Sequence, residues 1–189
     1  MRNLRSHRLR LVPVTANNAG VLWEVLQEPD LRDYQDLPEM DRAQFLRVVG
    51  GRPQRLARGV SGRFEWLHYL GERDVPVGWV SLRVSDSNRS TGEIGYSIVR
   101  EHRRCGLATE AVGALLGEAF LRTALRRIRA YTLPENRSSR AVLLRNGFRD
   151  EGTLARGATV QGRPVDVIAH ALERERWAAL RPTRPATRS

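Results

Sequence analysis

Residues 94–120 read IGYSIVREHRRCGLATEAVGALLGEAF, and this stretch decides which fold the chain can adopt. Its first part places Ile94, Tyr96 and Ile98 on one face, and this period of two predicts a β-strand. From Leu107 onward the apolar residues recur at spacings of one, three and four, which predicts a helix with a single apolar stripe. Several arginines and one glycine separate the two patterns. The stretch therefore predicts a strand, a cationic turn and a long helix.

The turn has the features of a phosphate-binding loop. The first N–H groups of a helix lack intrahelical partners and carry the positive end of the helix dipole. Small residues at Gly106 and Ala108 would let a diphosphate approach those groups closely, and Arg100, Arg103 and Arg104 stand beside them in the sequence. The turn lacks the spaced glycines of a Walker loop and of a dinucleotide-binding fingerprint. It therefore predicts a pyrophosphate site of another kind, with an ordinary surface turn as the alternative.

Helices and strands alternate along the rest of the chain. Strand patterns occur at residues 8–14, 64–70, 75–84, 128–132, 153–160 and 164–172. Helical patterns follow a cap at Thr15 or Asn17, cover residues 41–49, and recur at 138–148. This order predicts an α/β (α+β) fold class with one mixed, mostly antiparallel central sheet flanked by helices.

Length and composition limit the domain count and the compartment. A chain of 189 residues suits one domain, which we expect to cover residues 1–177, with a disordered Arg- and Pro-rich tail at 178–189. No apolar run is long enough to span a bilayer, and the first ten residues lack the apolar core of a signal peptide. The single cysteine, Cys105, cannot form an internal disulfide. We therefore expect a cytoplasmic protein without a membrane partner.

Charge is high and unevenly distributed. The net charge is +11, and all 32 basic residues are arginine, which by itself indicates a nucleic-acid partner. Residues 100–149 hold eleven arginines and four acids, whereas residues 28–41 hold six acids and one arginine. Either block alone is as typical of a solvated surface as of a binding site. Together they predict an anion site beside a cation site.

The turn and its flanks resemble a known family. Arg103-x-x-Gly106-x-Ala108 resembles the Q/R-x-x-G-x-G/A acyl-CoA loop of the GNAT superfamily of N-acetyltransferases. Four more segments are similar, in order, to the RimJ/RimL-type subgroup, which acetylates N-terminal amines of ribosomal proteins among other amines. They are SHRLRLVPVT (6–15), GLATEAV (106–112), PENRSSRAVLLRNGFRDEG (134–152) and GRPVDVIAHAL (162–172). The resemblance covers most of the chain and implies a single-domain GNAT-like fold.

The resemblance also implies acetyl-CoA as the acyl donor, with no metal. In the family the strand before the loop splays from its neighbour, which implies that the main chain at Ile98, Val99 and Arg100 holds the thioester and pantetheine. The implied pyrophosphate residues are Arg103, Arg104, Cys105, Gly106, Leu107, Ala108 and Thr109. Asn136 matches the family asparagine that contacts the pantetheine arm, although an asparagine is also common in a turn that starts with proline.

Two residues are candidates for the proton transfers. Ser139 matches the serine that can protonate the leaving CoA thiolate, and capping of the short helix is its alternative role. Glu93 could act as a base through a water, or could be a solvent-facing strand residue. The glutamate that RimL-type sequences place shortly before the final hairpin turn has no counterpart here, because residues 155–162 contain no carboxylate.

These observations predict an acetyl-CoA-dependent N-acetyltransferase that works by direct transfer in a ternary complex. The acceptor would be a primary amine, either a protein N-terminus, ribosomal proteins included, or a small amine. The alternative is a GNAT-fold nucleic-acid-binding or regulatory module with little or no activity, which would account for the arginine excess. A homodimer is compatible with the sequence.

Overall fold

The computed structural model describes residues 1–28, 31, 40–85 and 90–181 of the 189-residue chain. Eight strands lie within these residues: β1 (Leu4–Arg5), β2 (Leu9–Pro13), β3 (Gly62–Leu70), β4 (Pro76–Val84), β5 (Thr91–Ile98), β6 (Arg127–Thr132), β7 (Arg149–Val160) and β8 (Arg163–Glu173). Five α-helices accompany them: α1 (Ala19–Leu26), α2 (Arg42–Gly50), α3 (Leu107–Arg122), α4 (Arg137–Arg145) and α5 (Arg174–Ala179). The predicted strand, turn and helix at residues 94–120 are thus β5, a short 3-10 turn and α3.

All eight strands form one sheet in the order β1-β2-β3-β4-β5-β6-β8-β7. Neighbouring strands are antiparallel, except that β5 and β6 are parallel. α3 makes the crossover connection between the parallel strands β5 and β6, and α4 makes a second one from β6 to β7 across β8. The predicted fold class, a mixed and mostly antiparallel sheet flanked by helices, is confirmed.

The parallel pair is short. β5 and β6 pair only over Thr91–Glu93 and Arg127–Arg129. β5 remains paired with β4 as far as Ile98, and β6 remains paired with β8 as far as Thr132. The two strands therefore separate beyond Glu93, and a gap opens within the sheet.

Apolar clusters cover both faces of the sheet. On one face, α3 packs its stripe against Phe64, Trp66 and Leu82, and on the other face α1 and α2 pack against Leu67 and Trp79. The α3 residues that are at most 1 % exposed are Ala111, Val112, Leu115, Leu116, Ala119 and Phe120. Full burial of each large side chain stabilises the fold by about 1.5–3 kcal/mol. The predicted stripe thus fixes α3, and with it the loop that precedes α3, against the sheet.

The far end of α3 is also held firmly. Arg174 at the start of α5 donates from Nε to the carbonyl of Leu125 at 2.7 Å and from Nη2 to the carbonyl of Thr123 at 2.9 Å. A third bond goes from Nη1 to the carbonyl of Phe120. A cation here satisfies orphan carbonyl groups and complements the negative end of the helix dipole.

Parts of the sequence predictions fall beyond this description. Residues 182–189 of the predicted tail lie outside the described residues, while residues 178 and 179 belong to α5. Most of the acidic block at 28–41 also lies outside them. In the described parts of the chain, no helix is both long enough and apolar enough to cross a membrane.

Candidate functional site

The gap between β5 and β6 opens into a cleft of about 820 Å³. Residues from both faces of the sheet line it, among them Tyr96 on one face and Ser97 on the other. The remaining walls are the loop after β5, the first turn of α3, the end of β6 and the start of α4. A molecule in this cleft can therefore reach from one side of the sheet to the other.

The backbone at the end of β5 faces this cleft. The N–H of Val99 donates to the carbonyl of Val77 on β4 at 3.0 Å. Because successive peptide groups of a strand point to opposite sides, the main chain of Ile98 points away from β4, towards the gap. The carbonyl of Ile98 accepts from Nε of Arg103 at 2.9 Å. Of the predicted thioester contacts, Ile98 thus faces the gap, Val99 has its N–H engaged, and Arg100 begins the 3-10 turn.

The loop that follows leaves the start of α3 open. Gly106 occupies the N-cap position in a left-handed conformation (φ 78°), and no side chain caps the helix. The first intrahelical bond runs from the N–H of Glu110 to the carbonyl of Gly106. The N–H groups of Leu107, Ala108 and Thr109 therefore have neither an intrahelical partner nor a capping side chain within the described structure. A Cβ at Gly106 would lie 3.4 Å from Nη2 of Arg8.

The N-terminal segment braces this loop. Arg8 donates from Nη2 to the carbonyl of Cys105 and from Nε to Oε1 of Glu110, both at 2.6 Å. Ser6 donates to the other oxygen of Glu110 at 2.8 Å. Burial alone would raise the pKa of Glu110, but the hydrogen bonds from Ser6 and Arg8 and the charge of Arg8 outweigh it and lower that pKa. The brace joins residues about a hundred positions apart, so no local pattern could have predicted it.

Cations surround the open helix start. Arg103 and Arg104 line the cleft together with His102 and with Arg145 of α4. Arg104 itself adopts a left-handed conformation (φ 63°), which is uncommon for a residue with a Cβ. The sulfur of Cys105 is exposed and lies 3.4 Å from the carbonyl of Arg103. Six of the seven predicted pyrophosphate residues therefore line the cleft at the start of α3, and Cys105 is the exception.

On the opposite wall, Asn136 caps α4. Its Oδ1 accepts from the N–H of Ser139 at 3.1 Å and from the hydroxyl of Ser138 at 3.0 Å. The hydroxyl of Ser139 does not cap the helix and instead lies 2.8 Å from the hydroxyl of Tyr96 on β5. The Tyr96 hydroxyl can also donate to the carbonyl of Ser139, at the longer distance of 3.1 Å. Burial raises the pKa of Tyr96 to about 12, against the lowering effect of its hydrogen bond with Ser139.

Glu93 lies on the other face of β5 from Tyr96. Its carboxylate accepts from Nη2 of Arg83, its direct cross-strand partner on β4, at 2.7 Å. Among the described residues that line the cleft, Glu93 is the only one with a carboxylate. Near it, the guanidinium of Arg63 lies 5.9 Å from the centre of the Trp79 ring. Glu93 therefore reaches the cleft, but as one half of an ion pair with Arg83.

Sequence reasoning missed three residues at this site. Tyr96 was predicted only to share a face with its neighbours, and its hydroxyl gave no sign of a partner 43 residues away. No sequence pattern indicated the contacts that Arg8 makes with the loop. Arg83 lies opposite Glu93 only because of the register between β4 and β5, which the sequence pattern does not determine. In the ranges that the structure describes, no three His, Cys, Asp or Glu side chains are grouped so that they could hold a metal ion.

Comparison with known protein families identifies one match. The acetyltransferase (GNAT) domain family matches residues 8–149 of the chain, which is well over half of its length. The chain belongs to the GNAT acetyltransferase family. The predicted family is thereby confirmed, and with it the enzyme class, an N-acetyltransferase.

Individual GNAT relatives align along nearly the whole chain. "Uncharacterized N-acetyltransferase p20" of Bacillus licheniformis is 29% identical over 179 residues, which are 94% of this chain and 99% of the relative. The ribosomal-protein-serine acetyltransferase of Escherichia coli (strain K12) is 30% identical over 170 residues, covering 88% of this chain and 93% of the relative. Among solved structures, Mycobacterium smegmatis RimJ in complex with CoA-disulfide is 25% identical with a TM-score of 0.70, covering 94% and 92% of the two chains.

Proposed function

We propose that this GNAT enzyme transfers the acetyl group of acetyl-CoA directly to a primary amine within a ternary complex. The α-amine of a polypeptide N-terminus is the acceptor class that we favour. The observation that carries the proposal is the open, cation-flanked first turn of α3, which faces the same cleft as the unpaired end of β5. Acetyl-CoA supplies the activated thioester, and the protein supplies binding, orientation and proton transfer.

The chain fits the pyrophosphate of that donor at the start of α3. The N–H groups of Leu107, Ala108 and Thr109 lack a capping side chain, so they can donate to phosphate oxygens. Arg103 and Arg104 add positive charge at the same place. Solved structures of relatives point the same way, since the RimJ relative was crystallised with a CoA disulfide. We place Cys105 and Gly106 in the loop as backbone contacts.

The remaining donor contacts lie along the gap. The main chain of Ile98 faces the unpaired side of β5 and can pair with the pantetheine amides, and we propose Val99 and Arg100 as the adjoining main-chain contacts. Asn136 uses its Oδ1 for the α4 cap, so its Nδ2 is the end that can donate to the pantetheine arm. Ser139 is our candidate proton donor to the leaving thiolate.

The basicity of the acceptor amine is the reason to favour an α-amine. An α-amine has a pKa of roughly 8 and a lysine ε-amine about 10.4, so the α-amine is neutral more often near neutral pH. Glu93 is our candidate base, and it is the one carboxylate among the described residues that line the cleft, where it accepts from Nη2 of Arg83. An acceptor that needs little help is therefore the better match. The name of the ribosomal-protein-serine acetyltransferase relative is consistent with this class.

Calorimetric binding of acetyl-CoA is the first test, with Gly106→Trp as the variant that fills the loop. We expect acetyl-CoA to bind the wild type and the variant to lose at least about 100-fold in affinity, or about 2.7 kcal/mol. Gly59→Trp is the matched control, because Gly59 also has a positive φ (76°) and open space around its Cβ position. If the control loses affinity equally, the loop is not the binding site.

Two further measurements test the acceptor class and the alternative function. Thiol release is measured with a pentapeptide amide that begins with serine, and with the same peptide acetylated at its N-terminus and carrying one lysine. Turnover of the first peptide alone supports an α-amine acceptor, and turnover of the second alone overturns that class. A short DNA duplex is titrated at two salt concentrations. Duplex binding without acetyl-CoA binding would overturn the enzyme function in favour of a nucleic-acid module.

A further inference from the structure

Tyr96 and Ser139 join the two walls of the cleft by a pair of close contacts. Tyr96 projects from β5, and Ser139 lies in the first turn of α4. Their hydroxyl oxygens are 2.8 Å apart, and the carbonyl oxygen of Ser139 is 3.1 Å from the same phenol oxygen. Both residues line the cleft. The pair therefore lies at the surface that a substrate in the gap would meet.

Hydrogen positions in this cluster can be arranged in two ways. The carbonyl of Ser139 can only accept, and each hydroxyl has one hydrogen. In one arrangement Tyr96 donates to that carbonyl and the Ser139 hydroxyl donates to Tyr96, which turns the serine hydrogen away from the cleft. In the other, Tyr96 donates to Oγ of Ser139, and the serine hydrogen is free to turn into the cleft. Only the second arrangement presents a proton to a substrate.

We propose that Tyr96 is a positioning residue for protonation of the leaving thiolate: by donating to Oγ of Ser139, it directs the serine hydrogen towards the sulfur. This inference rests on the proposed function. It assigns a role to a residue whose sequence context indicated only a buried strand face. Burial keeps Tyr96 protonated at neutral pH, since it raises the pKa of the phenol to about 12, so the hydroxyl has a hydrogen to donate.

Each proton that moves in this step has a donor and an acceptor in the cleft. As the carbon–sulfur bond of the thioester breaks, its electron pair stays on sulfur, and Ser139 gives its hydroxyl proton to that sulfur. Tyr96 passes its own proton to Oγ of Ser139, and water in the cleft protonates Tyr96 in the same step. No phenolate accumulates, because burial of Tyr96 disfavours its charged form. The proton released by the acetylated amine neutralises the hydroxide that this leaves.

The CoA thiol itself reports on the pair without any acceptor. Its pKa in the complex with CoA is measured from thiolate absorbance against pH, for the wild type, Tyr96→Phe and Ser139→Ala. Hydrogen bonds donated to a thiolate lower its pKa, so we expect the bound thiol to titrate about one unit below free CoA. Both variants should return it towards the free value. Tyr69→Phe is the control, because Tyr69 is buried on β3 and does not line the cleft.

Kinetics with the serine-initiated peptide give the second readout. We expect Tyr96→Phe to lower kcat by about 10- to 100-fold and Ser139→Ala by about 100-fold. The KM for acetyl-CoA should change by less than about threefold, since neither hydroxyl is needed to bind the pyrophosphate. The double variant should be no slower than Ser139→Ala, within about twofold, because Tyr96 acts through the serine.

Three results would overturn the proposal. A bound thiol pKa that is the same in the wild type and Tyr96→Phe shows that the tyrosine does not act on the sulfur. Multiplicative rate losses in the double variant show that the two hydroxyls act separately. Failure of the wild type to bind CoA overturns the proposed function as well, whereas normal CoA binding with an unchanged thiol pKa removes only the role of Tyr96.

Discussion

Two helices begin at the cleft, and their first turns are built in opposite ways. α4 is capped by Asn136, whose Oδ1 accepts from the N–H of Ser139. α3 starts at Gly106, which has no side chain with which to cap. A capped turn has satisfied part of its hydrogen-bonding need internally, whereas an uncapped turn leaves its N–H groups for another acceptor. One helix start therefore suits phosphate, and the other presents side-chain hydroxyls.

The two ends of α3 differ in the same sense. At its C-terminal end, Arg174 satisfies the carbonyls of Leu125 and Thr123 from within the protein. At its N-terminal end, the brace from Arg8 reaches the carbonyl of Cys105 and the side chain of Glu110 but no first-turn N–H. Side chains thus bind the backbone at the C-terminal end of α3, whereas the first-turn N–H groups that face the cleft have no capping side chain.

The largest effect is expected from placing a negative charge at the open helix start. Gly106→Asp should weaken acetyl-CoA binding by about 100-fold, because the carboxylate would repel the pyrophosphate and compete for the same N–H groups. Gly106→Asn imposes the same backbone conformation without the charge and should lose about tenfold. Calorimetry on both variants measures the difference. Equal losses would show that backbone conformation alone matters there, and not charge.

A smaller effect is expected from removing the brace. Arg8→Ala frees the carbonyl of Cys105 and leaves Glu110 near the proposed phosphate site without its cationic partner. We expect acetyl-CoA affinity to fall by about tenfold, or about 1.4 kcal/mol, with little change in kcat. Arg5→Ala is the control, since Arg5 is exposed and pairs with Glu72 at 3.2 Å, away from the loop. A loss of the same size in Arg5→Ala would make the effect one of general charge.

The smallest effect on binding is expected at the capped helix. Asn136→Ala should lower the free energy of unfolding by about 1 kcal/mol, because the N–H of Ser139 loses its acceptor. Asn136→Asp should keep that stability, since aspartate caps as well as asparagine does. Both variants should weaken acetyl-CoA binding by only a few fold, through loss of the Nδ2 donor. Denaturant unfolding and calorimetry separate the two effects, and an Asp variant as unstable as the Ala variant would contradict the capping role.

Local pattern was enough to predict the fold around the cleft. The alternation of β5, the stripe of α3 and the small residue at Gly106 are all short-range features, and each appears where the sequence placed it. The gap between β5 and β6 was expected only from family resemblance. The gap opens because β5 and β6 pair only over Thr91–Glu93 and Arg127–Arg129. These segments lie far apart in sequence, so periodicity alone could not predict where their pairing ends.

The candidate site was also predictable only in part. The proposed pyrophosphate residues are consecutive in sequence, so one motif was enough to predict them together. Ser139 and Glu93 were named from the sequence, but their partners Tyr96 and Arg83 depend on how strands and helices meet in three dimensions. The roles of Ser139 and Glu93 remain predictions that the variants above test. The cation site predicted at the acidic block also stays a prediction, because most of residues 28–41 lie outside the described residues.

The short ladder between β5 and β6 has a mechanical consequence. It divides the sheet into one blade of β1 to β5 and a second blade of β6, β8 and β7, joined at a seam of three residue pairs. A molecule that binds along the open side of β5 and also contacts β6 would link the two blades, so bound substrate should stabilise the junction between them. Amide hydrogens along that seam should therefore exchange with solvent more slowly when the donor binds.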